Sequence, residues 1–483
     1  MNKNVLTSLS DIENIYFVGA GGIGMANLVR FFLAKGKCVA GYDRVKSALS
    51  SSLEAEGAEI CYTDDHTLIP QPFRDPAATL VVYTPAVPDT NDIISWFRAS
   101  GFNVVKRAAV LGAITRDSDG ICVAGSHGKT TTSSMIANIM RLSSVGCNAF
   151  LGGILRNINS NLVLSDSSPY SVIEADEYDR SFHQLSPKIA IITSTDPDHL
   201  DIYGNEANYL ESFAHFTSLI KPGGTLLLHT GLKLQARPGA EVATFTYSGK
   251  EKGDFHAYDI RFSEGRLFFS IHGPEGWDLK DVEPGLPIEI NIDNAVAAAA
   301  AAHIAGVDDA AIHEGLATFM GAKRRFEFYL RPGEGRAILL DDYAHSPNEV
   351  RASINSVRKL FPGKHLTVIF QPHLYTRTRD FAAEFGAALA GADRVWLPEI
   401  YPARELPIEG VTSEIILNAI PESQSSDGKS DSAQKKSPEK RLCERKDLLK
   451  LIKNTNFEVL MTLGAADIDR LLPDIVEILR DEQ

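Results

Sequence analysis

The chain has 483 residues, 44% hydrophobic and 23% charged, with a formal net charge of −14. That length exceeds what a single hydrophobic core supports, so about three α/β domains are expected. The negative balance argues against nucleic acid as a partner, because such surfaces neutralise phosphates with lysine and arginine, but it leaves room for small anions held by a few local donors.

The first residues, Met1 to Ser8, lack the apolar centre of a secretion signal. Ile15-Tyr16-Phe17-Val18 reads as a strand, followed by Gly19-Ala20-Gly21-Gly22-Ile23-Gly24 and an apolar helical run from Met25 to Leu33. In such a unit glycines let the backbone approach a diphosphate at a helix N-terminus. Asp43, ending the next expected strand, is placed to bind a ribose. Taken alone the unit suggests NAD, although the motif does not say which diphosphate is bound.

A second segment opens with the strand-like run Ile121-Cys122-Val123-Ala124. Between it and a helix lies Gly125-Ser126-His127-Gly128-Lys129-Thr130-Thr131, a P-loop with two residues between its glycines where the standard loop has four. Its backbone N–H groups would cradle the β- and γ-phosphates, Lys129 would neutralise them, and the Thr130 hydroxyl would bind Mg2+. This is read as an ATP site.

Downstream, Glu174-Ala175-Asp176-Glu177 follows the strand-like Val172-Ile173, and Asp196-Pro197-Asp198-His199-Leu200-Asp201 follows Ile191-Ile192. Acids at strand ends of an open α/β sheet face the ligand crevice and can complete a Mg2+ shell; solvated loop acids are the alternative. Asn291-Ile292-Asp293-Asn294 precedes the run Ala295 to Ala302 and reads as a helix cap. That alanine-rich run, stopped by His303, is a buried helix rather than one of the ~20-residue apolar segments that cross a bilayer. A third segment follows Arg324-Arg325-Phe326, with strands at Ala337–Leu340 and Leu366–Phe370. Within it the polar stretch Ser425 to Lys440 reads as a disordered surface insertion. Five scattered cysteines without metal-ligand spacing point to reduced, mostly buried thiols and a cytoplasmic protein with no membrane insertion.

The Gly125–Thr131 loop resembles the shortened P-loop of the Mur ligases. Glu174-Ala-Asp-Glu177 is similar to that family's segment whose first Glu binds magnesium, and Asp198-His199-x-Asp201 to one whose His is a metal ligand. The resemblance therefore implies Thr130, Glu174 and His199 as metal ligands. Ser194 stands where the family often has Asn, and no lysine lies between Asp201 and Ile220, as in the branch that joins L-alanine to UDP-N-acetylmuramate. Asn291 and Asn294 resemble the adenine-side His-Asn-x-x-Asn element, with Ile290 in place of His. Gly321 to Phe326 resembles the interdomain hinge, where Arg324 or Arg325, with Arg325 preferred, contacts phosphate or substrate.

Asp342-Tyr343-Ala344-His345-Ser346-Pro347 is similar to the family's Asp-Tyr-Ala-His segment, which implies nucleotide contact for Asp342, an amino-acid contact for Tyr343 and a catalytic part for His345. The muramate:alanine branch often has Gly-His-His-Pro there. Gln371-Pro372-His373-Leu374-Tyr375-Thr376-Arg377-Thr378-Arg379 resembles that branch's alanine-pocket segment, implying amino-acid contacts for His373, Arg377 and Arg379. Tyr401 to Glu405 and Leu463 to Ile468 extend the likeness. Thr84-Pro85 is similar to a sugar-nucleotide contact, so Gly21, Gly22, Ile23, Gly24 and Asp43 are expected to hold a UDP diphosphate rather than NAD.

The expected architecture has three domains: a Rossmann-like UDP-sugar domain (1–108), a central P-loop ATPase-type domain (109–322) and a Rossmann-like amino-acid domain (323–483). The resemblance implies ATP and Mg2+ as cofactors and UDP-N-acetylmuramate and L-alanine as substrates, joined through an acyl phosphate. Lys129, Glu174, His199 and His345 carry the chemistry in that reading. A ligase that recycles a murein tripeptide shares the three domains but fits Gln371–Arg379 less well. An NAD-dependent dehydrogenase leaves Lys129, Glu174 and His199 without a role, and a silent nucleotide-binding scaffold is opposed by the intact Lys129 and Thr130.

Overall fold

Short Val- and Ile-rich runs become strands buried on both faces, the pattern of parallel sheets covered by helices. The computed structural model describes residues 9, 12–263, 266–403, 405–422 and 437–480. The first sheet contains β1 (Asn14–Val18), β2 (Cys38–Tyr42), β3 (Glu59–Cys61), β4 (Thr79–Tyr83) and β5 (Asn103–Lys106), all parallel in the order β3-β2-β1-β4-β5. Its order reverses between β1 and β4. The loops leaving those strands diverge there and open a crevice at the strands' C-terminal ends.

The second sheet comprises β6 (Asp119–Ala124), β7 (Asn148–Leu155), β8 (Ser160–Val163), β9 (Tyr170–Glu174), β10 (Ile189–Ile192), β11 (Thr225–His229), β12 (Ala243–Ser248), β13 (Phe255–Ser263), β14 (Arg266–His272) and β15 (Asp278–Val282). Its order is β15-β14-β13-β12-β11-β10-β6-β9-β7-β8, so β6 pairs in parallel with β10 on one side and β9 on the other. Three loops, those after β6, β9 and β10, therefore emerge side by side. The third sheet has β16 (Glu327–Leu330), β17 (Ile338–Asp342), β18 (Leu366–Phe370), β19 (Arg394–Leu397), β20 (Glu439–Leu442) and β21 (Val459–Leu463), in the order β16-β17-β21-β18-β19-β20.

The chain divides into two compact units. One carries the first two sheets and ends at Met320; the other carries the third sheet from Gly321 onward, with the short segments 262–267 and 287–290 assigned to it.

Parallel pairing prevails as expected, but β7/β8, β14/β15 and β16/β17 are antiparallel. Strands joined by short connections can only return antiparallel, which the parallel reading overlooked. Ala295 to Ala302 is wholly buried in the helix Ile290–Ile304, as its composition implied. That helix begins at Ile290, so Asn291 lies in its first turn and Asn294 just past it, rather than before the helix. Of the polar stretch, 425–436 lies outside the described residues, as does Arg404. Its end is ordered: Glu439 and Lys440 start β20, which pairs in parallel with β19. The thiols are less buried than expected. All are free, but only Cys122 and Cys147 are buried, and Cys38 is exposed at the start of β2. Among the described residues no helix is long and apolar enough to cross a membrane.

Candidate functional site

The loop after β6 turns on two glycines in left-handed backbone, Gly125 at φ +144° and Gly128 at φ +82°. A Cβ on Gly125 would collide with Thr193 Oγ1 and come within 2.8 Å of the Ser194 amide; one on Gly128 would lie 2.8 Å from Asn294 Oδ1. Gly128 caps the helix Lys129–Leu142 without a side-chain hydrogen bond, leaving first-turn N–H groups available to an anion. The loop is braced from the β10 side. Ser194 Oγ accepts from the His127 amide at 2.7 Å, Thr193 Oγ1 donates to the His127 carbonyl, and Ser126 Oγ donates to the Asp196 carbonyl at 2.6 Å. Ser194 thus serves the loop backbone in the place where Asn is frequent. Asn294 joins the loop through Thr132 Oγ1 (3.0 Å) and is bonded in turn to Asn291 (3.2 Å).

Lys129 Nζ lies 2.7 Å from Glu177 Oε2 and donates to the Gly125 carbonyl at 2.5 Å. His199 Nε2 is 3.8 Å from Glu177 Oε1. His199 itself sits at φ +51°, a conformation uncommon outside glycine that recurs where function over-determines the backbone. Glu174 ends β9 and accepts from the Gly152 amide at 3.2 Å. So Lys129 and His199 come together around Glu177, while Glu174 stands at the adjacent strand end.

In the first sheet, Gly19 at φ +90° packs so closely on Thr84 that a Cβ would lie 2.6 Å from Thr84 Cγ2. Thr84 and Pro85 thus follow β4 beside the glycine loop, at the switch point. Asp43 accepts from the Gly21 amide at 2.7 Å, so its carboxylate bears directly on the loop. Gly22 caps the helix Ile23–Ala34 with no side-chain bond, and Gly24 lies in its first turn.

The second unit carries its own cluster. The Tyr343 ring stacks under Arg324 (5.2 Å) and Arg325 (5.0 Å), and its edge meets His345 at 5.2 Å. Arg324 is tied down within this unit. It bonds Asp341 (3.2 Å), the Ala466 carbonyl (2.9 Å) and the Gly464 carbonyl (2.6 Å). Burial lifts the Asp341 carboxyl to about 6, with Arg324 and Thr462 opposing. Burial also raises Asp342, which accepts from Ser353 and feels Arg325. The His345 pKa is pushed below the usual histidine range, first by burial and further by Arg377 and Arg325, against the pull of Glu349. The imidazole Nδ1 faces the Tyr343 carbonyl at 3.1 Å and Glu349 Oε2 at 3.3 Å. Ser346, where the branch often has His, caps the helix Pro347–Leu360 in a capping box with Glu349.

The short helix Tyr375–Asp380 separates its two arginines. Residues two apart face opposite sides of a helix, and while Arg377 acts on His345, Arg379 is exposed and bonds Asp380 at 2.7 Å. His373 stacks on Tyr401 at 6.1 Å.

Three features escaped the sequence. Glu177 lies in the same acidic segment as Glu174, and the sequence alone does not distinguish which of the two meets Lys129. Arg107 opens the helix Arg107–Asp117, and its guanidinium lies on Gly24 so that a Cβ there would be 3.0 Å from Cζ. A cation in a first helical turn opposes the helix dipole, and that was the available signal. His229 and Asp293, bonded at 3.0 Å, are too far apart in sequence for any local pattern to join them.

Three family profiles match in succession: "Mur ligase family, catalytic domain" over 14–118, "Mur ligase middle domain" over 123–302 and "Mur ligase, glutamate ligase domain" over 324–445. The chain is 51% identical to a UDP-N-acetylmuramate–L-alanine ligase of Parabacteroides distasonis, covering 98% of both chains. It is 48% identical to one of Porphyromonas gingivalis, covering 97% of this chain and 99% of the other. Among solved structures it resembles the UDP-N-acetylmuramate-alanine ligase of Thermotoga maritima, with a TM-score of 0.77, 26% identity and 96% and 98% of the two chains covered. A murein peptide ligase from Psychrobacter arcticus shares the fold at a TM-score of 0.64 and 21% identity, with 98% and 99% covered. Full-length identity at this level, on a shortened P-loop braced beside an acidic strand end, leaves one conclusion: the chain belongs to the Mur ligase family.

Proposed function

We propose that the chain is an ATP-dependent ligase that joins L-alanine to the lactyl carboxylate of UDP-N-acetylmuramate in peptidoglycan precursor synthesis, working in the cytoplasm. The observation that carries this reading is the 51% identity over 98% of the chain to a ligase of that name. It agrees with a loop between β6 and a helix that carries a lysine, hydroxyls and two left-handed glycines. Residues 1–108, 109–322 and 323–483 are assigned to the UDP-sugar, ATP and amino acid respectively.

In the first half-reaction the lactyl carboxylate attacks the ATP γ-phosphorus, ADP leaves, and an acyl phosphate forms. Lys129 and the amides of Gly125 to Thr131 offset charge on the transferring group. In the second, the alanine amine attacks the acyl carbon and phosphate departs from a tetrahedral intermediate. Asn291, Asn294, Arg325 and Asp342 are assigned to ATP. Gly21, Gly22, Ile23, Gly24, Asp43, Thr84 and Pro85 are assigned to the UDP-sugar. Tyr343, His373 and Arg377 are assigned to alanine, and Arg379, exposed and bonded to Asp380, is given at most a peripheral part. His345, whose pKa burial lowers, is assigned the proton that alanine's ammonium must lose.

Magnesium takes oxygen ligands and phosphate partners, and the Glu174 carboxylate that closes β9 beside the Gly152 amide offers such an oxygen next to the loop strand. Thr130, Glu174 and His199 would hold it, and the ion would supply positive charge against the phosphates. The acyl phosphate is tested by hydroxylamine trapping. Incubation with Mg-ATP and UDP-N-acetylmuramate, without alanine, is expected to give the hydroxamate in an ATP-dependent manner. ADP formation with no trappable acyl group would overturn the two-step reading.

A further inference from the structure

Glu177 is the most buried charged group around the nucleotide loop, at 2% side-chain exposure. Lys129 Nζ directs a hydrogen bond to Oε1 at 2.9 Å, while Oε2, 2.7 Å from the same nitrogen, has no donor aimed at it. The remaining reach of Nζ goes to its own loop, the Gly125 carbonyl at 2.5 Å and the Ser126 carbonyl at 3.4 Å. The loop lysine is therefore curled back on carbonyls and a carboxylate. It is not extended toward the amides at the helix start. The turn that presents Glu177 is fixed from below, because Tyr203 Oη donates to the Glu177 carbonyl at 2.5 Å. His199 Nε2 stands 3.8 Å from Oε1, so the carboxylate already borders the residues assigned to the metal.

A carboxylate in this position acts twice on an incoming nucleotide. It competes with the phosphates for Lys129, and its own charge repels them through a weakly screening interior. A divalent cation beside His199 would remove both penalties by giving the carboxylate another partner. We infer that Glu177 makes nucleotide binding depend on magnesium: without the cation it holds Lys129 away from the phosphates and repels them, and with the cation it releases the lysine to them. The inference rests on the loop being an ATP site. Thr130, Glu174 and His199 keep the roles already given; Glu177 adds the coupling between metal and nucleotide, which no residue of the P-loop motif supplies.

The test is a titration of the full chain with a fluorescent ATP analogue, in excess Mg2+ and separately in EDTA, for wild type and Glu177→Gln. Wild type is expected to bind much more tightly with Mg2+. Glu177→Gln is expected to bind the metal-free analogue about tenfold or more tightly than wild type does, with most of the Mg2+ enhancement gone. Thermal melting shows whether each variant is folded. If Glu177→Gln is not, Glu177→Asp, which withdraws the carboxylate by one methylene, is read in the same way and is expected to move the metal-free affinity in the same direction. Unchanged or weaker metal-free binding by a folded variant would overturn the inference and mark Glu177 as a structural ion-pair partner only. Failure of wild type to bind with Mg2+ would instead remove the ATP site itself, and the two failures are distinct.

Discussion

Gly125→Ala isolates the geometry on which the nucleotide loop depends. The new methyl meets two obstacles: left-handed backbone at φ +144°, and the neighbouring segment, with Thr193 Oγ1 in its path and the Ser194 amide 2.8 Å away. A main-chain atom cannot swing aside as a flexible side chain can. The conformational part costs about 1–2 kcal/mol and the overpacking about 1–3 kcal/mol, roughly 2–5 kcal/mol together. Gly306→Ala provides the control, since Gly306 is also left-handed at φ +85° but has nothing within 4 Å of its Cβ position. It should lose only the conformational part. At about 2–4 °C per kcal/mol for a domain of this class, thermal melting should lower Gly306→Ala by a few degrees and Gly125→Ala by clearly more. Binding of Mg-ATP should weaken only in Gly125→Ala. Equal melting shifts for the two variants, with nucleotide affinity untouched in both, would refute the close approach between the loop and β10.

The two hinge arginines should separate stability from function. Arg324→Ala strips the partner from a fully buried Asp341 and should cost about 3–5 kcal/mol in denaturant unfolding, whereas Arg325→Ala should stay within about 0.5 kcal/mol yet lose ligation activity. In steady-state kinetics Arg377→Ala should raise the KM for alanine about tenfold or more, while Arg379→Ala, exposed and paired with Asp380, should change it by less than about twofold. The His229–Asp293 pair should tie stability to pH. Asp293 holds the imidazole pKa up, so its contribution is full below the unfolded histidine pKa and is lost as pH rises through the raised folded value. His229→Gln should therefore cost about 1 kcal/mol near pH 6 and close to nothing near pH 9 in melting experiments.

Local chemistry made much of this legible. Glycine loops between a strand and a helix, acids at strand ends and an alanine run too short for a membrane all declare themselves within a dozen residues. The residues that sequence reading passed over act across the fold. Glu177 meets Lys129 only because β9 lies beside β6, and Arg107 reaches Gly24 only because its helix starts next to the first sheet. The cap expected at Asn291 to Asn294 lies inside the helix, because a helix can begin on an apolar residue such as Ile290 with no sequence signal. Arg377 and Arg379 look equivalent in one dimension, and only the helical turn between them sends one to His345 and the other to solvent.

Phosphate release by the purified protein with Mg-ATP and UDP-N-acetylmuramate, with L-alanine compared against L-Ala-D-Glu-meso-diaminopimelate, tests the central claim most directly. Release driven by alanine, and abolished by Lys129→Ala, is the predicted result. Release with the tripeptide alone would contradict it in favour of a recycling ligase, and no release with either from folded protein would contradict the ligase assignment altogether.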